Sequence, residues 1–116
     1  VQMNATVSVS ATGNVTGMPA AADFGYFKVD IRAAGDLNSA TTKEGIGVQY
    51  LKTGDTVTVK FAQSGWNWTS DSNQVVVSAG AATVDNKTVG DSNESVTYTL
   101  TFTGAIDDTV ILDDSW

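Results

Sequence analysis

The chain has 116 residues and carries 13 acidic against 6 basic side chains, a net charge of −7, with no His, no Cys and a single Pro. Without imidazole or thiol groups it cannot build a His-based triad, a thiol nucleophile, a thiolate or imidazole metal site, or a disulfide framework. Its acidity repels phosphate backbones, which sets nucleic acid aside as a partner, and its length suits one domain with its own core. The expectation is a structural or binding domain, not an enzyme.

Val outnumbers Leu by 15 to 4, Ser and Thr together number 26, and 11 of the 13 acids are Asp, so strand and turn formers dominate and strong helix formers are scarce. An all-β domain follows. The sequence begins at Val1, as expected of a chain whose leader has been cut away, though a chosen boundary would look the same. No 18-residue apolar run is present, so the chain has neither a membrane span nor the long hydrophobic helix on which type IV pilins assemble.

In chain order, residues 3 to 12 alternate without a break: Met3, Ala5, Val7, Val9 and Ala11 on one face, Asn4, Thr6, Ser8, Ser10 and Thr12 on the other. Gly13, Asn14, Gly17 and Pro19 interrupt the pattern, and Ala20 to Ala22 allow at most a short helical turn. Tyr26 to Arg32 alternates again, with Phe27, Val29 and Ile31 inward and Lys28, Asp30 and Arg32 outward. Ala33 to Gly45, polar and small, reads as a long loop or a wandering edge. Ile46 to Leu51 reads as a short strand that groups Ile46, Val48 and Tyr50.

After the turn Thr53-Gly54-Asp55, the segment Thr56 to Ala62 places Val57, Val59 and Phe61 inward. Gly65-Trp66-Asn67-Trp68 leads into the polar turn Ser70 to Asn73, and Gln74 to Ala79 forms another strand, which Gly80 to Val84 extends past a bulge. A turn around Val89 to Asn93 precedes Ser95 to Thr103, where Val96, Tyr98, Leu100 and Phe102 oppose Thr97, Thr99, Thr101 and Thr103. Thr109 to Leu112 is apolar on both faces, as in the middle of a packed sheet. About seven strands in one domain fit a two-sheet β-sandwich, immunoglobulin-like or jelly-roll, with an N-terminal extension strand. Residues 1–16 are then strand and linker, and residues 17–116 the sandwich.

Five of the seven Asn residues begin an N-x-[ST] sequon, at Asn4, Asn14, Asn67, Asn86 and Asn93. The Ser and Thr content alone supplies about 1.6 such matches, which favours an N-glycosylated surface protein over coincidence in a Thr-rich sheet. Small secreted eukaryotic domains more often carry disulfides, so sequons without cysteine point to an archaeal cell surface.

The N-terminal strand stands apart by position, by the small side chains on its dry face and by the Gly/Pro-containing stretch behind it. Besides serving as the first strand of its own sandwich, such a segment can insert into a neighbour, adding ladder bonds along an open edge and burying alternate side chains. Repeated head to tail, that contact does not close, and it builds a filament. An alternating terminal segment, Met3 to Ala11, followed by a small Val/Thr-rich β domain resembles the subunits of donor-strand-complemented extracellular fibres. These include archaeal bundling pili and, more distantly in style, bacterial chaperone–usher pilins and TasA-type biofilm fibres. The resemblance implies a subunit interface made by Met3, Ala5, Val7, Val9 and Ala11. The chain lacks the disulfide common to usher pilins, which favours the archaeal class.

Two further groups bear on ligands. Asp107-Asp108 and Asp113-Asp114 flank a four-residue apolar strand, and Asp71-Ser72-Asn73 and Asp91-Ser92-Asn93-Glu94 are oxygen-rich turns. These are Ca²⁺ candidates, but none has the EF-hand spacing, and Asp, Ser and Asn are ordinary turn formers, so no cofactor is expected. Trp66 and Trp68, two apart, share a face if extended; with Tyr50 they offer a sugar-stacking platform or, as the preferred reading, they cap the core beneath a loop. The leading expectation is a non-enzymatic filament subunit, exported and displayed at the cell surface, whose partner is a second copy of itself. The alternatives are a monomeric carbohydrate-binding or adhesive module, with surface glycans as partners, and a viral capsid or spike domain.

Overall fold

Alternation of branched and polar residues becomes nine strands among the residues described by the structure, a computed structural model covering residues 6–11, 25–39, 42–43, 46–90 and 92–116. They are β1 (Thr6–Ala11), β2 (Phe27–Ala33), β3 (Thr42–Lys43), β4 (Gly47–Leu51), β5 (Thr56–Ala62), β6 (Val75–Ala79), β7 (Ala82–Gly90), β8 (Ser95–Phe102) and β9 (Asp108–Asp114), with a 3-10 turn over Gly35–Ser39. One sheet has the order β3-β1-β5-β8-β7 and the other β4-β2-β9-β6. The β1–β3 and β2–β9 pairs are parallel and the rest antiparallel. The all-β two-sheet fold is the one expected. The two strands beyond the expected seven are the two-residue β3 and the nine-residue β7.

The inward sets of the alternating runs meet between the sheets. Val29 and Ile31 of β2, Val57, Val59 and Phe61 of β5, Val96, Leu100 and Phe102 of β8, and Val110 and Leu112 of β9 are all buried. Tyr98 joins them and links the sheets through its tip: its hydroxyl accepts the Val75 N–H at 3.2 Å and donates to Gln74 Oε1 at 3.3 Å. A buried phenol thus receives its polar partners from the opposite layer. β9 lies between β2 and β6, with Val110 and Leu112 buried on its inward face and Ile111 partly covered on the other.

Three readings are corrected. In β4 the grouped Val48 and Tyr50 share a face, but it is the outer one: Val48 is 41% exposed, while Gln49 and Leu51 are buried. The cause is register, since Gln49 stands opposite Val29 and Leu51 opposite Phe27, so the inward parity of β2 dictates that of β4. The loop expected after Ala33 contains the 3-10 turn, which drives Leu37 fully into the core. Residues 80–84 do not prolong β6. Gly80, at φ +94°, turns the chain out of one sheet and into the other, where β7 runs from Ala82 to Gly90.

Candidate assembly edge and glycan sites

Near one margin of the five-stranded sheet, β1 lies antiparallel to β5 in six consecutive pairs, with Val7 opposite Phe61, Val9 opposite Val59 and Ala11 opposite Val57. Beyond it, among the described residues, stands β3, whose two residues pair in parallel with Thr6 and Val7. The N-terminal strand therefore sits on the ladder of its own chain, against the strand whose Val57, Val59 and Phe61 form part of the core. Of the residues expected at a subunit interface, Val7, Val9 and Ala11 fall within β1, whereas Met3 and Ala5 lie outside the described residues. With β1 lifted away, β5 would present a row of free N–H and C=O groups beside the hydrophobic interior.

The opposite margin is β7. Its ladder with β8 shifts between Asp85 and Thr88, so that Asn86 and Lys87 together oppose Tyr98. Asn86 takes a left-handed backbone, φ 58°, as the first residue of such a bulge requires and Asn tolerates. Lys87 reaches across to the Ser70–Asn73 turn and donates to the Asn73 carbonyl at 2.9 Å. Burial lowers its pKa from the ordinary lysine value, against the opposing pull of Asp71.

Three of the five sequon asparagines, Asn67, Asn86 and Asn93, are described, and all three are exposed; Asn4 and Asn14 lie outside the described residues. Asn67 closes an Asx-turn, its Oδ1 accepting the Thr69 N–H at 3.0 Å and the Thr69 hydroxyl at 2.6 Å. Asn93, at φ 68°, sits in the β7–β8 hairpin, where its carbonyl accepts the Trp68 N–H at 2.9 Å. The two share an open cleft of about 170 Å³ with Gly65, Trp66, Ser92 and Glu94.

A stacking platform of Trp66 and Trp68 is not what the fold makes. Trp68 is fully buried, its ring 6.5 Å from Phe61, and Trp66 is half-buried against the core. Trp116 joins both, 5.0 Å from the Trp66 ring and 5.7 Å edge-on from Trp68, and its indole N–H donates to Asp36 Oδ2 at 2.6 Å. The tryptophans close the end of the sandwich, which agrees with the core-capping alternative. Nothing in the local sequence foretold the part played by Trp116, because its partners come from turns distant in the chain.

The paired carboxylates are not brought together either. Asp107 and Asp108 lie at one end of β9 and Asp113 and Asp114 at the other, about 20 Å away at 3.3 Å per residue. Each pair caps backbone groups. Asp107 accepts Lys28 N–H at 2.9 Å, and Asp108 accepts Ala81 N–H at 2.9 Å and Thr109 N–H at 2.8 Å. Asp113 accepts Asp114 N–H and Asp114 accepts Asp36 N–H, both at 2.8 Å. Among the described residues no three acidic groups converge as metal ligands, and no helix is long and apolar enough to cross a membrane. Comparison with protein-family models, curated proteins and solved structures gives no match.

Proposed function

We propose that this chain is a non-enzymatic structural subunit of an extracellular, cell-surface filament. It polymerises when the N-terminal strand of one copy takes the β1 place beside β5 of the next. The observation that supports this reading is the six-pair β1–β5 ladder made by the first strand, whose far side is paired, among the described residues, with the two residues of β3. Because the ladder is a set of backbone pairs at one margin, residues 6–11 of a second copy can form it in the same register. When each copy gives its strand to the next and receives one from the copy before, the contact is head to tail and open-ended, and it yields a fibre.

The chain has no cysteine, so the test has no background. Ser8→Cys and Lys60→Cys variants, whose positions face each other in the register, are mixed before assembly and oxidised. A heterologous disulfide between the two variants, with fibres in negative-stain electron microscopy, is the expected result. A mixture that never cross-links, a double variant that closes only within one chain, and a monomer by sedimentation at every concentration would overturn it.

A further inference from the structure

We infer that Asn86 is the sequon modified on the folded domain, and that the oligosaccharide it carries covers the margin of β7 that is unpaired among the described residues. The inference rests on the reading of the chain as a cell-surface protein. A transferase that reads N-x-[ST] must reach both the asparagine amide and the hydroxyl two residues on. At Asn93 that hydroxyl belongs to Ser95, which is 3% exposed at the start of β8. At Asn67 the residue between is Trp68, which is fully buried. Neither tripeptide can be drawn into a catalytic groove without pulling the core apart.

At Asn86 no residue of the tripeptide is buried. Asn86 and Thr88 are both exposed, and the Thr88 hydroxyl lies beside the sequon asparagine, donating to its backbone carbonyl at 3.2 Å. The bulge lifts the segment out of the regular ladder, while the Lys87–Asn73 contact holds it in place. The transfer forms a bond from Asn86 Nδ2 to the anomeric carbon of a lipid-diphosphate-linked oligosaccharide. It breaks that carbon's bond to the diphosphate oxygen, releasing the lipid diphosphate, and Nδ2 gives up one proton. The sugar then stands on the outermost strand of the five-stranded sheet, opposite the margin that holds β1. An unpaired edge attracts stray strands, and a bulky hydrophilic group on it blocks them there.

The test supplies purified, sugar-free chain, folded or urea-unfolded and diluted, to membranes holding an oligosaccharyltransferase and dolichyl-diphosphate oligosaccharide. Peptide mapping by mass spectrometry then scores each site. In the folded chain, occupancy at Asn86 should exceed that at Asn67 and Asn93 by at least about tenfold, the factor imposed by even ~1.4 kcal/mol of local opening. The unfolded chain should accept sugar at all three. Equal occupancy in the folded chain, or an unmodified Asn86 in both, overturns the assignment. For the covering role, Asn86→Gln protein from the same reaction should sediment as larger species than the modified chain at equal concentration; identical profiles refute that role. Site occupancy does not depend on filament growth, and the Ser8/Lys60 cross-link does not depend on sugar, so each reading can fail without the other.

Discussion

Gly54 and Gly80 have almost the same backbone, φ +92° and +94°, but different surroundings, and replacing each by Ala separates two costs that usually come together. Gly54 is the third residue of a turn closed by the Asp55 N–H to Lys52 carbonyl bond, 3.0 Å, and a methyl group there meets nothing within 4 Å. Gly54→Ala therefore carries the backbone term alone, about 1–3 kcal/mol, less roughly 0.4–1 kcal/mol from a stiffer unfolded chain. At Gly80 the same methyl collides with the Thr109 carbonyl oxygen and lies 2.8 Å from Val110 Cα, both backbone atoms of β9 that cannot swing aside as a side chain does. Overpacking of this kind adds about 1–3 kcal/mol. With an unfolding entropy of about 2.1 cal/mol/K per residue, or about 0.24 kcal/mol/K for this chain, the two variants should differ in Tm by about 4–12 °C. Thermal unfolding by circular dichroism measures the gap, and urea midpoints with unchanged slopes confirm that stability, not compactness, has moved. Equal losses, or a greater loss for Gly54→Ala, would refute the claim that close approach to β9 fixes glycine at the crossing between sheets.

Other expected outcomes are as specific. Trp68→Ala should cost about 3–5 kcal/mol by urea denaturation, because a fully buried ring packed on Phe61 and Trp116 leaves a cavity its neighbours cannot fill. Burial raises the Tyr98 pKa, the Val75 hydrogen bond opposing in part. Below pH ~10 both folded and unfolded states keep the phenol proton; above it the unfolded chain ionises first, so this contribution to stability is lost as pH rises toward the folded-state value. Unfolding free energies from pH 8 to 11 should fall more steeply in the native chain than in Tyr98→Phe, and parallel curves would contradict this. At pH 8, Tyr98→Phe should already be weaker by about 1–3 kcal/mol, since the buried Val75 N–H loses its acceptor.

Strands with one strongly apolar face could be read from the sequence because burial acts on their residues directly. The inward sets of β5 and β8 are the ones the alternation marks. β4 misled because Val48, Gln49, Tyr50 and Leu51 offer no clean parity, and the decision belongs to pairing with β2. β7 was missed for a related reason: its bulge breaks the period-two pattern at Asn86 and Lys87, and as a margin strand it buries little. At the candidate sites, the sequons could be read from the sequence as motifs but not ranked. The ranking depends on whether Trp68 and Ser95 face the interior, which is a tertiary fact.

The position of β1 also limits how a filament can grow. Closed on its own β5, the strand makes six pairs; inserted into a neighbour it makes the same six, so the ladder itself does not favour one state over the other. A strand on the same chain as its β5 competes at an effective concentration on the order of millimolar, far above that of other copies in dilute solution. Closure therefore wins unless something else separates the two states. Either the strand is delivered to a growing end before it settles on its own chain, or subunits in the fibre gain contacts that a monomer lacks. The first mechanism predicts that folded monomers stay monomeric for long periods and polymerise only after unfolding and refolding at high concentration. The second predicts a critical concentration above which folded monomers convert by themselves. Time-resolved light scattering on folded and refolded chain separates them. If neither preparation polymerises at millimolar concentration, strand exchange is not how this chain associates.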